Sequence, residues 1–80
     1  MRLDKFLKVS RIIKRRTVAK EACERGLVSL NGRESKAGAD VAAGDILEVR
    51  FGNRTFRARV LSIKENARKE EAAEMYEVIE

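Results

Sequence analysis

Lys14, Arg15 and Arg16 stand side by side immediately before Thr17. Adjacent cations repel, and the positive end of a helix dipole starting at Thr17 adds to that repulsion. An anion relieves both. A guanidinium grips a phosphate through two parallel N–H donors, and the free N–H groups of a helix start point at the same oxygens. Arg2, Lys5, Lys8 and Arg11 upstream and Lys20 downstream extend the cationic set. Catalytic chemistry has far less to work with. There is no histidine, and Cys23 is the single cysteine. Ser–His and Cys–His nucleophiles, the usual zinc sites and an internal disulfide are thereby excluded, leaving only carboxylate or lysine chemistry. No glycine-rich phosphate loop of the Walker or dinucleotide type is present. The expectation is a binding protein with no metal, no cofactor and no enzymatic activity.

The elements that must position these cations follow from the apolar spacing. Leu3, Phe6 and Leu7 recur at i, i+3, i+4, one face of a short helix, with Arg2, Lys5 and Lys8 beside that stripe. A second helix is expected from Thr17, whose hydroxyl would cap it, to Gly26. Val18, Ala19, Ala22 and Cys23 would form its small apolar face, with Lys20 and Glu24 opposite. From Leu27 the period changes to two. Val28 and Leu30 lead into Asn31-Gly32, a strong hairpin signal, and a short polar strand follows. After a turn at Ala43-Gly44-Asp45, Leu47, Val49 and Phe51 alternate with Glu48 and Arg50. A turn at Gly52-Asn53 returns the chain with Phe56, Ala58 and Val60 inward and Arg57 and Arg59 outward. The last segment places Ala72, Met75, Tyr76 and Ile79 on one helical face, with Asn66 as a candidate cap; a strand through Tyr76–Ile79 is the competing reading, and helix is preferred. The expected fold is α+β: two N-terminal helices on a small antiparallel sheet, then a short C-terminal helix.

Eighty residues make one domain, spanning 1–80, with 1–63 holding helices and sheet and 64–80 a C-terminal segment. Hydrophobic residues at 44% beside 39% charged describe a chain that folds. No apolar run reaches the roughly 20 residues of a membrane helix, and the N-terminus lacks the apolar core of a secretory signal, so a cytoplasmic protein without membrane contact is expected. The net charge of +5 is unevenly spread. Residues 1–36 carry eleven Lys and Arg against four Asp and Glu, whereas residues 37–80 carry seven against nine. A basic field confined to the N-terminal half suits a polyanion, and the acidic end is expected to stay clear of phosphates.

Residues 2–32 resemble the RNA-binding module first named for ribosomal small-subunit protein four, the αL motif. The resemblance rests on Arg2-Leu3-Asp4, Arg16 with Ala19, Gly26, and Val28 through Asn31-Gly32, followed by Lys36 and the Gly44-Asp45 turn. The module resemblance covers about residues 1–63, and over the whole chain the sequence resembles the stand-alone ribosome-associated quality-control protein P group. That resemblance implies binding to a large ribosomal subunit carrying peptidyl-tRNA. It implies contacts to large-subunit ribosomal RNA and tRNA together, in support of a partner factor that adds C-terminal alanine tails. A related heat-shock protein rescues large subunits with stranded peptidyl-tRNA; its longer, basic C-terminus differs from the acidic segment here, which favours the first grouping. A heat-shock-type rescue factor, a general structured-RNA binder and a protein adaptor are the alternatives. The module also accompanies pseudouridine synthases and tyrosyl-tRNA synthetases; here a stand-alone module without a catalytic domain is expected.

The RNA-binding set expected from motif and charge is Arg2, Lys5, Lys8, Arg11, Lys14, Arg15, Arg16, Thr17, Lys20, Asn31 and Lys36. Arg15 stands where many family members have serine, so a charge replaces a hydroxyl contact. The guanidinium groups of Arg2 and Arg16 are expected to face RNA beside the apolar stripe, so that losing either leaves stability nearly unchanged. Asn31 has a second explanation in the positive φ of its hairpin, and Asp4 reads as an intramolecular partner of neighbouring cations. With four aromatics, none interleaved with the basic strip, recognition should rest on RNA shape and phosphate spacing. Lys20 and Glu24 make a poor base-contact set for a DNA-reading helix, and no dimer interface is evident, so a monomer is expected.

Overall fold

Leu3, Phe6 and Leu7 are fully buried on α1 (Leu3–Val9), as their spacing requires. The computed structural model describes residues 1–79. The first-turn N–H groups of α1 are satisfied by a loop: Leu3 donates to the carbonyl of Ala39 at 2.8 Å and Asp4 to that of Ala37 at 3.1 Å. Arg11 ends the helix with φ +64, its N–H donating to the Lys8 carbonyl at 3.0 Å.

Helix α2 runs Arg16–Glu24 and buries Ala19 and Cys23. It begins earlier than Thr17 because Arg15 already has the extended conformation of a cap (φ −125, ψ 136), and Ala19 donates to the Arg15 carbonyl. Thr17 is therefore inside the first turn, not at the cap, and Val18 rotates outward to 49% exposure. The helix closes with a Schellman motif: Gly26 donates to Cys23 and Leu27 to Ala22, each at 3.0 Å. Gly26 sits at φ +74, a conformation that favours glycine, and a Cβ there would push aside the exposed Glu34 carboxylate, 2.5 Å away. The intrahelical ion pair of α2 is Glu21–Arg25 at 3.7 Å.

Five antiparallel strands follow, β1 (Val28–Leu30), β2 (Arg33–Glu34), β3 (Ile46–Phe51), β4 (Arg54–Val60) and β5 (Tyr76–Val78), ordered β2-β1-β3-β4-β5. Val28 opposes Val49, and Leu47 lies between Leu30 and Ala58, so the inward row is continuous across three strands. It packs with α1, Ile13, Val41 and Met75 into one core. Phe51, at the end of β3, is less buried than expected: it is 49% exposed and lines a shallow depression with Val18 and Ala22 of α2. On the outer face, Arg57 meets Glu48 at 3.1 Å and Arg59 meets Glu77 at 2.6 Å.

The C-terminal segment divides. Only Lys69–Ala72 forms a helix, α3, capped at Arg68, whose N–H donates to the Glu71 carboxylate at 3.0 Å, and not at Asn66. Ala72 and Met75 are buried as helical spacing suggests, but the chain then extends into β5. The free edge of β4 decides this: its backbone groups gain partners when Val60 pairs with Tyr76 and Ala58 with Val78. Phe56 and Tyr76 meet edge to face across the pair, 6.0 Å between centroids. The helix preferred from sequence survives as a single turn.

Candidate nucleic-acid interface

Asp4 is the centre of the basic surface. It lies on the first turn of α1 with its side chain 4% exposed, and Oδ1 accepts the Lys5 N–H at 2.8 Å. Two arginines reach it. Arg2 approaches with Nε 3.2 Å from Oδ1 and Nη2 3.4 Å from Oδ2. Arg16, at the start of α2, places Nε 3.4 Å from Oδ2 and Nη2 3.5 Å from Oδ1. Burial pushes the Asp4 carboxyl up, but hydrogen bonds and charges from Arg2 and Arg16 outweigh it and hold the pKa below its ordinary value. The carboxylate is therefore ionised at neutral pH and orients both guanidinium groups.

Arg2 and Arg16 remain about half exposed, 54% and 47%, so each presents donors outward while bonded inward. With Thr17 and Lys20 they line one shallow depression. The Arg16, Thr17 and Val18 N–H groups start α2 with no side-chain cap, adding dipole and donors to the same rim. The expectation that losing Arg2 or Arg16 leaves stability nearly unchanged meets a competing role: Arg16 ties α2 to Asp4 of α1, and Arg2, at the cap of α1, bonds the same carboxylate within its own helix.

The other expected residues fall elsewhere. Lys5 holds Glu65 at 2.6 Å. Lys8, Arg11 and Lys14 gather at the far end of α1, around a cleft whose opposite wall carries Asn66, Ala67 and Lys69. Arg15 is exposed at the cap of α2. Asn31, at φ +53, donates to Asp45 Oδ1 at 3.2 Å and accepts the Ile46 N–H at 2.9 Å, which fixes its carboxamide within the fold. Lys36 lines a separate depression with Cys23, Glu24 and Glu34. Burial, and then the charge of Asp4, push the Cys23 thiol up to about 11, which keeps it protonated. Among the described residues no cluster of His, Cys, Asp and Glu could hold a metal, and no helix is long and apolar enough to cross a membrane.

Sequence reasoning missed Lys69 and Asn66, which sit in an acidic segment and join the basic surface only through the fold. A locked pair of guanidinium groups beside an open helix start can grip phosphate oxygens in fixed geometry; it offers no nucleophile or proton shuttle.

The S4 domain family matches residues 1–47. A protein of Halalkalibacterium halodurans named RQC P-site tRNA stabilizing factor is 56% identical over 98% of this chain and 89% of its own length. One of the same name from Bacillus subtilis is 54% identical over 99% of this chain and 92% of its own. Among solved structures, trimeric heat shock protein 15 of Vibrio cholerae superposes with a TM-score of 0.90 at 30% identity, covering 99% of this chain and 81% of that one.

Proposed function

Because the chain belongs to the S4 domain family, we propose that it binds the large ribosomal subunit carrying peptidyl-tRNA and stabilises that tRNA during ribosome-associated quality control. In this reading the basic surface contacts large-subunit ribosomal RNA and tRNA together, and a partner factor adds C-terminal alanine tails while the tRNA is held. The protein is a binding module, not an enzyme, and acts in the cytoplasm as a single copy. The observation that carries the reading is the Asp4 clamp: two half-exposed arginines fixed on one buried carboxylate beside the uncapped start of α2. Guanidinium groups oriented by a buried carboxylate lose less freedom on meeting phosphates, which favours RNA shape and backbone over base sequence.

Co-sedimentation tests it. The protein should pellet with large subunits carrying peptidyl-tRNA, less with empty large subunits, and not with duplex DNA at the same salt. Equal retention by duplex DNA would sink the assignment to structured RNA. Equal retention by empty subunits would sink the tRNA contact. The solved relative from Vibrio cholerae is described as trimeric, so light scattering of the free protein and of the released complex tests the single-copy reading.

A further inference from the structure

Four cations converge on the cleft between the C-terminal end of α1 and the 65–69 segment: Lys8, Arg11, Lys14 and Lys69. Among the described residues none of them has a carboxylate within ion-pair distance. The one acid that lines the cleft, Glu65, is already bound by Lys5 Nζ at 2.6 Å. The outer sheet face is different, since Arg57 and Arg59 there have carboxylates of their own. An unneutralised group of like charges in a concave site focuses its field outward and favours an anionic ligand.

The backbone gives a second, independent observation. Arg11 sits at φ +64, just past the end of α1, where glycine is the usual residue. The left-handed conformation costs a non-glycine residue about 1 kcal/mol. A glycine would close the helix with less strain, yet an arginine lines the cleft from this position. The floor is apolar: Val9 and Ala67 are half-buried against the core, which sets α1 and the C-terminal segment at a fixed separation.

We propose that this cleft is a second phosphate-binding site that holds RNA backbone, and that the C-terminal segment forms its outer wall through Lys69. The inference rests on the RNA-binding reading above and extends it to a part of the chain whose net charge is acidic. The neutral Lys5–Glu65 pair separates the cleft from the Asp4 clamp. The clamp holds Asp4 in the first turn of α1 and the cleft takes Lys8 from its last turn, while Lys14 stands two residues before Arg16, so the two groups are adjacent and hold neighbouring phosphates. RNA suits the cleft better than an acidic peptide because Arg11 and Lys14 carry the cations on from α1 toward the start of α2 and the Asp4 clamp, and three of the four are lysines, point charges that accept phosphates in varied orientation.

The test uses the full chain and large subunits carrying peptidyl-tRNA. Lys69→Glu should weaken binding about tenfold near 0.1 M salt and lower the magnitude of the log–log salt slope by about one. Arg54→Glu makes the same charge change on exposed β4, outside the cleft, and should weaken binding less than about twofold. In the complex, Lys8, Lys14 and Lys69 should be protected from amine acylation. Equal losses for Lys69→Glu and Arg54→Glu would show a diffuse field and overturn the site, as would a Lys69 amine that stays reactive in the complex. Protection that survives nuclease removal of the RNA would assign the cleft to a protein and overturn it equally. Wild-type protein that binds no subunits fails the RNA-binding reading itself, a result separate from loss confined to Lys69.

Discussion

Replacing Arg16 separates its two roles. Arg16→Ala removes one of the two cations on a carboxylate that is 4% exposed, leaving Asp4 with Arg2 and the Lys5 N–H. The lost contacts are long, 3.4 and 3.5 Å, and Arg16 is 47% exposed, so solvent screens them. The stability loss should be about 0.5–1.5 kcal/mol, below the full value of a charged hydrogen bond. For a domain of this size that lowers Tm by about 2–12 °C. A lost phosphate contact has no such discount, because the guanidinium is already oriented when RNA arrives. It should cost about 1.5–3 kcal/mol, roughly tenfold to a hundredfold in affinity. Arg16→Lys should recover most of the stability but only part of the affinity, since the charge stays and the fork is lost. Thermal melts followed by circular dichroism give the first quantity, and subunit binding well below Tm gives the second. Unchanged melting with lost binding would mean that the Asp4 contact holds nothing together. Lowered melting with normal binding would make Arg16 a purely structural residue and refute the clamp as an RNA site.

Asp4 makes stability depend on pH in a definite direction. Its folded pKa is depressed, so the stabilisation is complete above the unfolded value near 4 and disappears as pH falls through the lower folded value. Urea unfolding between pH 6 and pH 2.5 should show this loss, and Asp4→Asn should be less stable at pH 6 with a flatter acid limb. Arg11→Gly should leave stability equal or raise it by up to about 1 kcal/mol while weakening subunit binding, because strain is relieved and a cation lost; a destabilised variant with normal binding would refute the stated role of Arg11. The Cys23 thiol, pushed up to about 11, should react with iodoacetamide at pH 8 far more slowly in the folded protein than in urea. Equal rates in the two would show that burial does not protect it.

Local spacing was enough for much of this protein. Leu3, Phe6 and Leu7 define the buried face of α1 because helical period is a property of consecutive residues, and Asn31-Gly32 defines a hairpin because few residues tolerate positive φ. The concentration of cations in residues 1–36, and the role of Asp4 as their partner, were likewise legible from charge and proximity in the chain. Other features depended on neighbours distant in sequence. The cap of α2 lies at Arg15 and not at Thr17, a shift that the hydroxyl of Thr17 did not announce because Arg15 takes the extended cap conformation without a side-chain cap. Tyr76–Val78 has a usable helical pattern, yet it became a strand because β4 offered an unpaired edge. Asn66 and Lys69 joined the basic cleft only when the chain after Lys64 folded back on α1, although residues 64–80 as a whole are acidic. A sequence states which charges exist; the packing of α1 against the C-terminal segment decides which of them share a surface, because the field at a cleft depends on distance in space and not along the chain.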